Sequence, residues 1–278
     1  MQPIASEDQD TPAPRQDGPR QDTSAPDGPS RPPVTVVTGG SRGIGAAVAA
    51  RLAAAGHDVA IGWVADEEAA ERVVSAVREA GRAAVAVRVD VSRERDVDQL
   101  FDTAREALGP VTGLVNNAAV TGPLGRFTET STDVMRRVVE VNVLGTLWCA
   151  RRAAREMSAR HGGAGGAVVN ISSVAATLGS PDEYVHYAAT KAAVDALTTG
   201  LAKELAPDGV RVNSVQPGMI LTDMHATMGD PQRPWRKSDR VPMRRPGHPE
   251  EIAGAVAWLL SPEASYTTGA VLRVSGGL

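Results

Sequence analysis

The chain has 278 residues, 42% of them apolar, enough to bury one large α/β core, and carries a formal charge of -4. That balance, without a long Lys/Arg run, argues against nucleic acid as a partner, because such binding rests on neutralising phosphates. The single cysteine, Cys149, excludes an intrachain disulfide and a cysteine-rich metal centre, and no apolar run approaches the roughly 20 residues that span a bilayer. A soluble, cytoplasmic protein in a reducing compartment is expected, with no metal and no membrane.

Residues 1–33 are rich in Pro, Asp, Gln, Ser and Arg and end in Pro32-Pro33. Such a stretch cannot bury enough apolar surface to offset its ordering entropy, so a disordered tail is expected there. It lacks the apolar core of a signal peptide. Strand and helix signals then alternate over 34–278, which favours a single α/β domain.

Val34 to Thr38 is a β-branched run, followed by Thr38-Gly39-Gly40-Ser41-Arg42-Gly43-Ile44-Gly45 and an Ala-rich helical stretch ending at Gly56. Strand, glycine turn and helix in that order suit a dinucleotide. The glycines let backbone approach a pyrophosphate, and the helix N-terminus offers free N–H groups and partial positive charge. Gly39, Ser41, Arg42, Gly43, Ile44 and Gly45 are therefore candidate cofactor contacts, although glycines also make ordinary tight turns.

The second strand, about Asp58 to Trp63, ends where an NAD-binding protein carries a carboxylate for the adenosine ribose. Here that position is Trp63, so nothing repels a 2'-phosphate, and Arg42 can pair with it. NADP(H) is preferred on this reading, with NAD(H) possible. Asp66, a few residues on, is expected to begin the next helix. Further strand signals at Ala83 to Val89 and Gly113 to Asn116 flank a helical stretch from Arg93 to Leu108. Asp90, followed by Val91, and Asn117, followed by Ala118, stand just past strand ends, where open α/β sheets bind ligands. For each, a turn or cap role is the alternative. Cys149 lies in an apolar helical stretch and reads as a buried, inert thiol.

Tyr187 and Lys191 lie four residues apart, on one face if the segment is helical, with Ser173 upstream. A phenol titrates at about 10, so ionising it near neutrality takes about 4 kcal/mol, much of which a fixed lysine charge can supply. Alone, the pair is also an ordinary helix-surface motif.

Taken together, the Thr38–Gly45 turn, Asp90, Asn116-Asn117-Ala118, Asn142, Ser173, Tyr187 with Lys191, Pro217-Gly218 and Thr222 resemble the short-chain dehydrogenase/reductase family in its compact branch. The resemblance runs from about Val34 to Gly277 and is similar to bacterial NADPH-dependent ketoreductases and glucose-dehydrogenase-like oxidoreductases. It implies a single Rossmann-type, doubly wound domain with a seven-stranded parallel sheet and helices on both faces. It also implies a catalytic tetrad of Asn142, Ser173, Tyr187 and Lys191 that exchanges hydride between NADPH and a ketone or secondary alcohol. Tyr187 is then the general acid or base and Ser173 orients the carbonyl. Lys191 lowers the phenol's pKa and binds ribose, and Asn142, within a long helix from Ser131 to Arg160, supports a proton-relaying water. Ser172 is left as a strand-end hydroxyl bonded to backbone.

Pro217, Gly218, Ile220 and Thr222 are expected to turn the chain over the nicotinamide, with a simple strand-to-loop turn as the alternative, and Ala175, Tyr184 and Met224 to join Ser173 and Tyr187 around the substrate, with plain packing as the alternative for Tyr184. His186 is expected at a surface or interface. Ala119 and Ser275 depart from the family pattern, where glycine and aspartate are usual. The segment 223–246 shows little periodicity and is expected to be a lid. Its Met224, Met228, Met243 and Trp235 could cover an apolar substrate, and its arginines could meet a carboxylate or phosphate or simply face water. A homotetramer is implied, with a dimer second. A sugar or polyol dehydrogenase and a catalytically idle dinucleotide sensor are the competing readings.

Overall fold

The computed structural model describes residues 31–278, so most of the expected tail over 1–33 lies outside the described residues. Seven strands form one sheet: β1 (Val34–Thr38), β2 (Asp58–Trp63), β3 (Ala84–Arg88), β4 (Val111–Asn116), β5 (Gly166–Ile171), β6 (Val210–Pro217) and β7 (Val271–Val274). All pairings are parallel, in the order β3-β2-β1-β4-β5-β6-β7. The inner strands read as nearly unbroken apolar runs because helices cover both faces.

Alternate strand residues feed two cores. Val37, Ile61, Val115, Val169 and Val215 face α1 (Gly43–Ala54) and α10 (Pro249–Leu260). Their neighbours Val36, Ala60, Leu114, Val168 and Val212 face α3 (Glu94–Leu108), α5 (Thr146–Met157) and α7 (Val185–Leu205). Helix α3 shows why these segments are helical. Val97, Leu100, Phe101 and Ala104 are buried at i, i+3, i+4 and i+7, while its other face is charged. Each large side chain so buried contributes about 1.5–3 kcal/mol. Helix α2 (Glu67–Glu79) is started by Asp66, whose carboxylate accepts from the Ala69 amide at 2.9 Å.

Strand order reverses at β1/β4, where the connections leave in opposite directions and open a crevice at the carboxyl ends. The polar ends of β1, β4, β5 and β6 therefore converge there.

Two sequence expectations change. The long helix from Ser131 is three pieces, α4 (Thr132–Val139), a π-turn (Glu140–Gly145) and α5, and Asn142 lies in the π-turn. Segment 223–246 is not a plain loop. It holds α8 (Met224–Thr227), α9 (Arg233–Arg236) and a 3-10 turn at Ser238–Arg240, pieces too short to show a period. A short α6 (Ala175–Leu178) follows β5.

Candidate active site

A cavity of about 270 Å³ opens at the carboxyl ends of the central strands. Of the residues singled out from sequence, Ser173, Ala175, Tyr184, Tyr187, Lys191 and Met224 line it. So do Ile44, Asn117, Pro217, Gly218, Ile220 and Thr222, which brings the end of the glycine turn and the turn after β6 to the same space. Gly39, Ser41 and Arg42 belong to the turn between β1 and α1, and Gly43 and Gly45 to the first turn of α1, beside this wall. Asp90, Val91, Ala118 and Asn142 also lie outside the cavity lining.

The glycine turn is held closed by Asn117, whose Nδ2 donates to the carbonyls of Thr38 and Gly39 at 3.0 and 2.9 Å. Gly45 needs its missing side chain. A Cβ there would stand 2.3 Å from the Gly39 carbonyl oxygen and 2.6 Å from Asn117 Nδ2. This tight backbone approach, at the first turn of α1, suits a pyrophosphate. Arg42 is exposed at the N-cap of α1 and has no ion-pair partner among the described residues. Trp63 is buried at the end of β2, with Arg88 lying 5.9 Å from its ring centroid. Asp90 is tied to Ser92 and Arg137. Although burial pushes its carboxyl up, hydrogen bonds from those two residues hold it below the usual range. Val91 is packed in the core, leaving only its backbone for a ligand.

Tyr187 and Lys191 share one face of α7 and are both buried. Lys191 Nζ donates to the Ile171 carbonyl at 2.7 Å and lies 5.7 Å from the Tyr187 ring centroid. Burial lowers the lysine to about 8, against which Asp195 pulls upward. The phenol differs from expectation. Burial first, and then Tyr184, raise Tyr187 above the ordinary tyrosine value, while the Ser173 hydroxyl and the Arg233 charge act in the opposite sense. Lysine's charge is directed at a carbonyl oxygen rather than at the phenol, so desolvation wins.

Asn142 is anchored by three bonds: Oδ1 accepts from the Val120 amide, and Nδ2 donates to the Val120 carbonyl and to Thr190 Oγ1. Thr190 in turn donates to the Tyr187 carbonyl at 2.7 Å, so Asn142 is linked to the α7 backbone beside the phenol. Both N–H groups of its amide are used within the protein. Ser172 Oγ donates to the Lys191 carbonyl, and Ser173 Oγ accepts from the Ala175 amide at 3.1 Å.

His186 is not at the surface. It is buried, and its Nε2–H donates to the Thr121 carbonyl at 2.8 Å, because the first turn of α7 packs under the loop that follows β4. Within 223–246, Trp235 and Met243 are exposed and lie off the cavity, while Met224 and Met228 line it. Of the cations in 223–246, Arg233 and Lys237 reach the cavity wall, where they meet Glu183, a residue that sequence reasoning missed. Glu183 is paired with both cations, and Arg233 donates to Tyr184 Oη at 2.9 Å. Nothing periodic in the chain signals a contact spanning that many residues. Among the described residues no cluster of three His, Cys, Asp or Glu could hold a metal, and no helix is long and apolar enough to cross a membrane.

Strand order, glycine turn and a half-buried Ser173 beside the buried Tyr187 and Lys191 are features shared with known proteins. The family model described as enoyl-(acyl carrier protein) reductase matches residues 39–278. The chain belongs to the short-chain dehydrogenase/reductase family. This short-chain dehydrogenase/reductase is 44% identical over 244 residues to the uncharacterized oxidoreductase YgfF of Escherichia coli (strain K12), covering 88% of this chain and 99% of that one. It is 37% identical to glucose 1-dehydrogenase 2 of Bacillus subtilis (strain 168), over 87% of this chain and 93% of that one. A blue fluorescent protein from a metagenomic library, solved in complex with NADPH, superposes with a TM-score of 0.81 at 35% identity, covering 89% of this chain and 98% of that chain. The protein is thus an oxidoreductase of a family that uses nicotinamide dinucleotides. The glycine turn, with the close approach at Gly45, fits such a group.

Proposed function

We propose that the protein is an NADP(H)-dependent carbonyl reductase, acting reversibly on a ketone or secondary alcohol. The observation that carries this reading is the meeting of Ser173, Tyr187 and Lys191 in one cavity with Asn117 and the Pro217–Thr222 turn. When bound, the nicotinamide dinucleotide supplies or accepts the hydride. Gly39, Ser41, Gly43, Ile44 and Gly45 would hold its pyrophosphate, Asn117 and Ala118 with the backbone of Asp90 and Val91 its adenosine side, and Pro217, Gly218, Ile220 and Thr222 its carboxamide. Arg42 reads a 2'-phosphate, and the absence of a carboxylate at Trp63 favours it further. The NADPH complex of the metagenomic relative supports the same preference.

Ser173 Oγ fixes the substrate oxygen by hydrogen bonding, and Tyr187 Oη gives it a proton as charge builds there. Burial keeps the phenol protonated, which is the form a reduction needs. Lys191, charged at neutral pH, steadies the phenolate left behind and holds ribose hydroxyls. Asn142 fixes the loop at Val120 and, through Thr190, the turn of α7 that bears Tyr187. Segment 223–246 serves as the lid, with Met224 and Met228 on its inner side.

Relationship to a glucose 1-dehydrogenase raises sugar oxidation as a second reading. Val174, Leu178, Met219, Met224 and Met228 in the wall favour a substrate with an apolar body over a polyol. The test is to incubate the protein with NADPH or NADH and a panel of ketones, then with NADP and sugars. NADPH-dependent reduction of a ketone is expected. Oxidation of sugars without reduction of any ketone would replace this reading by the second.

A further inference from the structure

At the end of the cavity away from Lys191, a buried cation is short of acceptors. Arg233 lines the cavity with only 4% of its surface exposed. Its Nη2 donates to Glu183 and to Tyr184 Oη, its Nη1 reaches only the thioether of Met219 at 3.2 Å, and its Nε has no partner. A thioether is a weak acceptor, and a buried guanidinium normally meets oxygen at every edge. Glu183 does not balance the charge, because Lys237 pairs with the same carboxylate. Arg240, itself exposed, also lines the cavity, so its lining holds three cations of one segment against one acidic side chain, Glu183, among the described residues. His225 adds no negative charge there. Burial lowers its pKa, and its Nε2–H donates to the Ile220 carbonyl.

We propose that this end of the cavity is a carboxylate subsite, in which Arg233, backed by Lys237 and Arg240, receives the acid group of an oxo or hydroxy acid. The assignment rests on the carbonyl-reductase reading, with the reacting carbon at Ser173 and Tyr187. The Tyr184 ring stands between the two ends, its centroid 5.2 Å from the Arg233 guanidinium carbon and 5.2 Å from the Tyr187 ring centroid. A substrate that joins them therefore carries a ring or short chain between ketone and carboxylate. The same cavity is lined by Val174, Leu178 and Met228, which suit an apolar spacer. A singly charged group matches a guanidinium already half satisfied by Glu183, whereas a phosphate dianion would need more donors than this edge has free.

The test compares 4-acetylbenzoate with 4-acetylbenzamide, matched in shape and differing in charge. Wild type should favour the acid at least tenfold in kcat/KM. Arg233→Met should lose at least tenfold more on the acid than on the amide, chiefly through KM, with the NADPH Kd unchanged. Glu183→Gln should shift the preference further toward the acid, which guards against a collapsed lid in the first variant. Equal losses on acid and amide in Arg233→Met, or a wild type that prefers the amide, would overturn the subsite. Binding is read separately by thermal shift with the unreactive pair 4-ethylbenzoate and 4-ethylbenzamide. A shift with the acid that vanishes in Arg233→Met, alongside no reduction of any ketone, would keep the subsite and sink the reductase reading. No shift with the acid in wild type would overturn the subsite itself.

Discussion

Replacing Lys191 with Met should make the protein more stable at neutral pH while stopping turnover. Burial drops the lysine from 10.5 to about 8, so between those values the unfolded chain binds the proton that the folded protein has released. Stability contributed by this group therefore rises with pH from about 8 to 10.5, and below 8 the folded protein bears the whole cost. At about 1.4 kcal/mol per pH unit that cost is roughly 3 kcal/mol. Methionine keeps the unbranched buried stem and removes the charge, but it also removes the donor to the Ile171 carbonyl, worth about 1 kcal/mol. A net gain of roughly 2 kcal/mol should raise Tm by about 4–6 °C at pH 7. The assay is thermal unfolding of both proteins in a buffer series from pH 7 to 10.5, in which the gap should close toward the alkaline end. A lower Tm for the variant at pH 7, or a gap that does not change with pH, would refute the claim that Lys191 is held charged against its desolvation.

Arg42→Ala should weaken NADPH binding about tenfold to a hundredfold, the worth of a charge-assisted bidentate contact, and leave NADH within about twofold. Equal losses for the two cofactors, measured by nicotinamide fluorescence, would mean that Arg42 does not read the 2'-phosphate. Gly45→Ala puts a methyl 2.3 Å from the Gly39 carbonyl oxygen, so the turn must open. A loss of about 1–3 kcal/mol in stability and at least tenfold in NADPH affinity is expected, and wild-type affinity would contradict the tight approach. Burial pushes the Cys149 thiol up to about 12, so it should resist a thiol reagent at pH 8 in the native protein and react fully once unfolded. Rapid labelling of the native protein would contradict its place in the core.

The framework was legible because burial on both faces writes itself into the chain as apolar runs. Val34–Thr38 and Asp58–Trp63 have the bounds their residues imply, and Asp66 caps α2 as its position after a strand suggests. What the chain hides is what depends on distant partners. His186 looks like a surface residue until the loop carrying Thr121 covers it. The burial of Arg233 rests on Glu183 and Tyr184, about fifty positions away, and no local pattern encodes that meeting. Within the π-turn, Asn142 grips the Val120 backbone through its amide, again a contact across elements. The Tyr187 and Lys191 pair was visible from its spacing, whereas the balance between charge and burial at the phenol needed the packed structure.

The central claim is that Tyr187 Oη carries the proton in a carbonyl reduction. Tyr187→Phe keeps the buried ring and removes only that oxygen, so the decisive measurement is single-turnover oxidation of NADPH by a ketone that wild type reduces, beside an NADPH titration of the same variant. The account predicts a rate at least about a hundredfold lower, with cofactor affinity retained. A rate near that of wild type would place the proton donor elsewhere and contradict the account.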